Sequence, residues 1–209
     1  MTSLRTVLLG GGVACSVALA GCGGSLDGHS AKENALAQAL APYTVRPGEE
    51  TGYSTSGLPA LVTTAAAWAK GDTDAAAVTK RLESDGFRAV LRQSTVSTGN
   101  APGLSLVIEL GSPAEARSEE RAGLATALAT EHANKVNRFK VTGIPGAQGF
   151  VSQAPGEFDA NLLFTEGSCA LVVGALNGKS TRSVAQAVIE GSRKIYARTI
   201  NSHGICTKG

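Results

Sequence analysis

Two strand-length apolar runs constrain the fold of this chain most. LSLVIEL (104–110) alternates, with its leucine and isoleucine residues at even positions on one face, and CALVVGAL (169–176) is almost continuously apolar. FRAVLRQSTV (87–96) and NLLFTE (161–166) precede these runs as strand partners, and a helical pattern with a polar cap follows each run. The sequence therefore predicts an α+β fold: a mainly antiparallel sheet with helices packed on one face. The repeated order suggests a duplicated hairpin-helix unit.

Local signals divide the rest of the chain into shorter elements. An apolar stripe from Leu58 to Ala69 predicts a helix that Gly71 ends, and Asp72 or Asp74 opens the next helix. SPAE at 112–115 is a capping box that starts a third helix, and the last helix begins near Ser180 to Ser183. Two shorter strands are predicted on either side of the turn GIPGAQ, at FKVT (139–142) and GFVSQ (149–153).

The composition is that of an ordinary globular protein. The 209 residues carry a formal charge of +2, with 43% hydrophobic and 17% charged residues. A chain of this length buries about 70% of its unfolded surface, so a core forms without help from a metal. The densest basic patch is NKVNRFK (134–140), which is not the basic stripe that nucleic acid requires. We therefore expect no nucleic-acid partner.

The N-terminus predicts where the protein is found. VLLGGGVACSVALA (7–20) is 14 uncharged residues, too short to span about 30 Å of hydrocarbon but suited to an export signal. The run LAGC that ends at Cys22 resembles the lipobox of bacterial lipoproteins. The resemblance implies that residues 1–21 are removed and that Cys22 is lipidated, with palmitate-type acyl chains. The mature protein would then have 209 − 21 = 188 residues.

This resemblance implies a lipid-anchored protein on the outer face of the cell membrane, since two acyl chains hold a protein stably. Residues 22–34 are predicted as a flexible tether that includes His29, and residues 35–209 as a single α+β domain. Two alternatives remain for the N-terminus: a plain cleaved signal peptide, or a buried helix with an incidental cysteine. The small, Ala- and Gly-rich layout also resembles uncharacterised lipoproteins of high-GC Gram-positive bacteria.

The cysteines agree with export. Cys15 lies in the predicted signal and Cys22 would be lipidated, which leaves Cys169 and Cys206 as a pair. Their disulfide would close a loop of about 38 residues and stabilise the fold by roughly 4 kcal/mol. The alternatives are two free thiols, or a metal site that uses His203 together with Cys206. We favour the disulfide, and expect no metal or cofactor, because no further ligands are grouped near them.

Two stretches look like catalytic motifs, but each departs from its motif. VVGALNGKST (172–181) is one residue short of a phosphate-binding loop, because only three residues separate Gly174 from Gly178. No nucleotide is therefore expected. TGYSTSG (51–57) has Ser56 where a nucleophile elbow needs its second glycine.

The remaining functional candidates are weaker. The irregular segment 43–58 and the turn GIPGAQGF suggest a binding surface for a small ligand or an envelope protein, formed by Tyr43, Tyr53, Pro145 and Phe150. The leading hypothesis is a non-catalytic ligand- or partner-binding lipoprotein. The alternative is an envelope hydrolase that uses Asp159 and Glu166, which requires both carboxylates to face one pocket within about 10 Å. The sequence leaves open whether the protein is an enzyme.

Overall fold

The computed structural model describes residues 30–46, 53–55, 59–97, 101–129, 135–154 and 157–207. These form five α-helices and eight β-strands. The helices are α1 Ala31–Leu40, α2 Ala65–Ala69, α3 Ala75–Ser84, α4 Pro113–Ala129 and α5 Thr181–Thr199. The strands are β1 Tyr53–Thr55, β2 Ala60–Val62, β3 Ala89–Ser97, β4 Ala101–Glu109, β5 Lys135–Phe139, β6 Gln148–Ala154, β7 Glu157–Glu166 and β8 Cys169–Gly178.

All described strands belong to one sheet, in which every pairing is antiparallel. The order is β1-β3-β4-β8-β7-β6-β5, and β2 pairs with β3 beside β1. The central pair is β4 with β8, in register from Gly103 opposite Ala175 to Glu109 opposite Cys169. The two apolar runs of the sequence thus meet at the centre of the sheet, where both faces are covered. The predicted α+β class and the mainly antiparallel sheet are confirmed.

Helices cover both faces of this sheet, which differs from the predicted packing on one face. One core joins α1 and α5 to side chains such as Val107 and Leu171. The other joins α2, α3 and α4 to side chains such as Leu106 and Val172. Neighbouring residues of β4 and β8 point to opposite faces, and both sets are buried, so one layer of helices could not cover them.

The suggested duplication holds for the order of elements and not for their packing. Each half contains a hairpin followed by a long helix, β3-β4-α4 and β7-β8-α5. However, α4 and α5 both pack against β7 and β8, from opposite faces. A duplicated unit would place each helix on its own hairpin.

The helix caps agree with the sequence, with one exception at the first helix. Asp74, Ser112 and Ser180 accept hydrogen bonds from backbone N–H groups in the first turns of α3, α4 and α5. By contrast, α1 begins at Ala31, inside the segment predicted as tether. The reason is a capping box, in which Ser30 Oγ accepts from the N–H of Glu33 at 3.3 Å and Glu33 Oε2 accepts from the N–H of Ser30 at 2.8 Å.

Two other boundaries also differ from the prediction. The apolar stripe predicted as a helix from residue 58 is a strand over Ala60–Val62 followed by the short helix α2, because the edge of β3 offers it hydrogen-bond partners. The strand predicted at 139–142 ends at Phe139. Of the irregular segment, residues 47–52 and 56–58 lie outside the described residues, whereas Tyr53–Thr55 pairs with β3.

Three polar contacts fix α1 and the segment after it on the sheet. Arg198 of α5 donates to the carbonyl oxygens of Pro42 at 2.9 Å and Thr44 at 2.7 Å. The N–H of Val45 donates to Ser105 Oγ on the central strand β4 at 3.0 Å, and both residues are buried. The segment that follows the C-terminal end of α1 is therefore held against α5 and β4.

Candidate functional site

A cleft of about 630 Å³ lies where α1 crosses the ends of β3 and β4. Its volume is in the range of small-molecule sites. The lining side chains come from the start of α1, the end of β2, the start of β3, the end of β4 and the C-terminal segment. They are Ser30, Lys32, Glu33, Leu36, Thr63, Arg88, Glu109 and Ile205.

The first turns of α1 form one wall. The capping box fixes the start of the helix, and residues four apart lie on one helical face, so Lys32 and Leu36 are neighbours along the cleft. Lys32 is exposed, whereas Leu36 is half-buried against the core. This wall therefore presents one charge above one apolar side chain.

A charged pair forms the floor. Glu109 Oε1 accepts from Arg88 Nη1 at 3.0 Å. The Glu109 side chain is only 3% exposed, whereas that of Arg88 is 59% exposed. The backbone N–H of Arg88 also donates to the carbonyl oxygen of Glu109 at 2.9 Å, so the hairpin itself places the two side chains together. In the alternating run LSLVIEL, Glu109 lies on the face opposite to the leucine and isoleucine residues, and it is buried because α1 and the C-terminal segment cover that face.

The C-terminal segment contributes Ile205 to the lining. Its neighbour Cys206 forms a disulfide with Cys169, with Cα atoms 5.3 Å apart, which confirms the predicted pairing. Ser168 donates to the carbonyl oxygen of Cys206 from both its N–H, at 2.8 Å, and its hydroxyl, at 3.2 Å. Because Cys206 is bound to Cys169, it is not free to be a metal ligand with His203.

The disulfide stands between two buried carboxyl groups. Cys169 is directly opposite Glu109 on β4 and Glu166 on β7. Directly opposed residues of antiparallel strands point to the same face, so the two carboxyl groups flank the disulfide, two strand spacings or about 10 Å apart. Glu109 lines the cleft, and Glu166 is buried on the far side of the disulfide.

Glu166 belongs to the interior. It is 5% exposed, and Thr199 Oγ1 at the end of α5 donates to its Oε2. Its Oε1 is buried without a hydrogen-bond partner. Burial raises the pKa of Glu166 above its ordinary value of 4.5, and the hydrogen bond from Thr199 opposes this shift.

Asp159 and Glu166 do not form the carboxylate pair that the hydrolase alternative requires. They lie seven residues apart on the same strand, β7. At about 3.3 Å per residue, their Cα atoms are roughly 23 Å apart, more than twice the required separation. This pair therefore cannot act on one bond.

The binding surface predicted from the loops is not assembled. Tyr43 is 1% exposed in the core beneath α1 and α5, and Phe150 is 3% exposed in the core of the opposite face. Their inclusion in a binding surface is wrong, because their rings fill the two cores. Pro145 is exposed in its turn, and the side chain of Tyr53 lies outside what the structure describes.

Sequence reasoning missed most of the cleft. Lys32 and Leu36 lay in or beside the predicted tether, and Ile205 in a polar tail. The motif SAKE (30–33) was the one local signal that could have located α1, since it is a capping box. No local signal indicates that α1 lies against Arg88 and Glu109.

Two further findings concern the described residues alone. Within the described ranges, no helix is both long and apolar enough to cross a bilayer. In the same part of the chain, no three His, Cys, Asp or Glu side chains group in a way that could hold a metal ion. Cys22 and His29 lie outside the described residues.

Comparison with known proteins gives distant structural likeness alone. No protein-family model matches the chain, and no curated protein matches it. Among solved structures, it is similar to the extracellular domain of PknH from Mycobacterium tuberculosis, with 12% sequence identity and a TM-score of 0.44. The match covers 77% of this chain and 90% of that domain. A likeness of this size carries no argument about function.

Proposed function

We propose that this protein is a lipid-anchored, ligand-binding protein of the cell envelope, and that the cleft beneath α1 is its binding site. The observation that carries the proposal is the cleft itself. It combines apolar walls, from Leu36 and Ile205, with a few charged groups that converge on the same space. This is the usual composition of a small-molecule site.

Two features support the envelope location. The LAGC motif at Cys22 is followed by eight residues before Ala31, where the described domain begins its first helix. The disulfide between Cys169 and Cys206 is of the kind that persists in oxidising compartments outside the cytoplasm. Both features fit an exported protein whose folded part stands close to the membrane.

The chemistry of the cleft favours binding over catalysis. Its described lining contains no histidine or cysteine, and its one buried carboxylate is paired with Arg88. The hydroxyl of Ser30 donates to Glu33 Oε2 and accepts from the N–H of Glu33, so the capping box uses both of its hydrogen-bonding roles.

The anchor is tested with Cys22→Ala in a bacterial host that lipidates exported proteins. We expect the wild-type protein in the membrane fraction, with a mature N-terminus heavier than its peptide mass by the lipid. Cys22→Ala should lack the added mass and lose its stable association with the membrane. An unchanged N-terminal mass and unchanged fractionation in the variant would show that the anchor assignment is wrong.

The site is tested by screening small molecules against the full-length protein in lipid nanodiscs. Leu36→Trp should abolish binding of the hits, because the larger ring occupies the cleft. Ile200→Trp is the matched control, since Ile200 is exposed and does not line the cleft. Hits that bind Leu36→Trp as well as they bind the wild type would exclude the cleft as the site.

A further inference from the structure

We infer that the ligand of this cleft is a small organic oxyanion, such as a carboxylate or phosphate monoester, that carries one apolar segment. This inference rests on the proposed function, because it names the chemistry of the same site. It follows from which polar atoms of the cleft are already engaged and which are free.

Each of the two carboxylates that line the cleft has one oxygen engaged by the protein itself. Glu33 Oε2 accepts from both the N–H and the hydroxyl of Ser30, at 2.8 and 2.9 Å. Glu109 Oε1 accepts from Arg88, and its side chain is almost fully buried. A cationic ligand would therefore find the charge of Glu109 already paired with Arg88.

The donors, by contrast, are largely free. Arg88 uses one of its five N–H groups on Glu109, and its side chain is more than half exposed. Lys32 is exposed, has no ion-pair partner among the described residues and carries three N–H donors. Two cationic side chains with unused donors match an oxyanion, which accepts several charge-assisted hydrogen bonds at once.

The size and walls of the cleft require more than an inorganic ion. A volume of about 630 Å³ corresponds to roughly 20 water molecules at about 30 Å³ each, far more than one phosphate fills. Leu36 and Ile205 both line this space. An apolar segment attached to the anion would bury itself against them, which favours binding.

The inference is tested with three probes that share one apolar body: 3-phenylpropionate, 3-phenylpropanol and 3-phenylpropylamine. Binding is measured by ligand-observed NMR titration of the full-length protein in nanodiscs, with empty nanodiscs subtracted. We expect the carboxylate to bind about tenfold more tightly than the alcohol, and the amine to bind most weakly. Inorganic phosphate should bind more weakly than the carboxylate, and added salt should weaken carboxylate binding.

Two variants of cleft residues and one control separate the effect of charge on binding from general effects on folding. Lys32→Ala should weaken carboxylate binding about two- to fivefold and leave the alcohol unchanged, because an exposed charge contributes modestly. Lys140→Ala, an exposed lysine outside the cleft, is the control. Glu109→Gln keeps an acceptor for Arg88 but removes the opposing charge, so it should tighten carboxylate binding, which a merely structural role would not do.

A second series identifies the source of the anion. The probes are hexanoate, octanoate and decanoate. If the natural ligand is a soluble acid, the affinity of the protein should stop rising with the chain length of the probe. If it is a membrane amphiphile, the affinity should continue to rise. Equal binding of acid and alcohol, or preferred binding of the amine, would overturn the oxyanion inference while the proposed binding function stands. Loss of binding in Glu109→Gln would also overturn it. If none of these probes binds, but other molecules from the screen bind the wild type and fail to bind Leu36→Trp, then the ligand class is wrong and the cleft is still the binding site.

Discussion

Removal of the Cys169–Cys206 disulfide should destabilise the whole domain. The bridge joins residues 37 positions apart in sequence, and so closes a loop of about 38 residues. The chain-entropy treatment gives about 13 cal/mol/K for such a loop, or about 4 kcal/mol at 25 °C. For a protein of this size, each kcal/mol shifts the melting temperature by about 2–4 °C, so the expected loss is roughly 8–16 °C.

The assay is unfolding in urea followed by circular dichroism, for the wild type with and without reductant and for the double variant Cys169→Ala, Cys206→Ala. We expect the double variant to lose about 4 kcal/mol of unfolding free energy, with a further small cost for the two buried sulfur atoms. The same reductant should not change the double variant, which is the control for effects at Cys22. A wild-type midpoint that reductant leaves unchanged would refute the reasoning, because the tail would then be held without the bridge.

Three further predictions concern single side chains. Gly167→Ala should lower the free energy of unfolding by several kcal/mol, and Gly146→Ala by only about 1 kcal/mol. Both glycines have positive φ, which an alanine adopts with strain. A Cβ at residue 167 would in addition lie 1.9 Å from the carbonyl oxygen of Cys206, whereas a Cβ at residue 146 would meet no atom within 4 Å. Equal losses of unfolding free energy in urea for the two variants would contradict the close approach of the tail to residue 167. Glu166→Gln should remove a pH dependence of the free energy of unfolding. Because the pKa of Glu166 is raised in the folded protein, its contribution to stability is complete below pH 4.5 and is lost as the pH rises through the folded-state pKa. The wild type should therefore lose stability over that pH range, and the variant should not. Arg198→Ala removes two hydrogen bonds to backbone carbonyls and should cost about 2 kcal/mol, against no change for the exposed Arg182→Ala; equal midpoints would contradict this.

Elements with a local signature were predictable from the sequence. The caps at Asp74, Ser112 and Ser180 satisfy backbone N–H groups within three residues, so the signal and the contact lie in the same short segment. The strands β4 and β8 were predictable because their apolar runs are strand-length and bounded by turns. The disulfide followed from counting cysteines, which requires no knowledge of the fold.

Features that depend on distant contacts were not predictable. The strand β2 exists because β3 offers an edge to it, although its residues also fit a helical stripe. The burial of Tyr43 depends on α5, whose residues follow more than 130 positions later. For the same reason the cleft gives no sequence motif, since its walls come from opposite ends of the described chain.

The residues that line the cleft come from distant parts of the sequence, so the cleft forms only in the folded protein. Leu36 and Ile205 are 205 − 36 = 169 positions apart, and the sheet lies between them in sequence. The cleft exists only after α1, the central strands and the C-terminal segment have all reached their places. Any molecule that occupies it therefore binds the completed domain and stabilises all of it by mass action, rather than one loop. Fraying at either end of the described chain opens the cleft, so occupancy distinguishes intact molecules from clipped or partly unfolded ones.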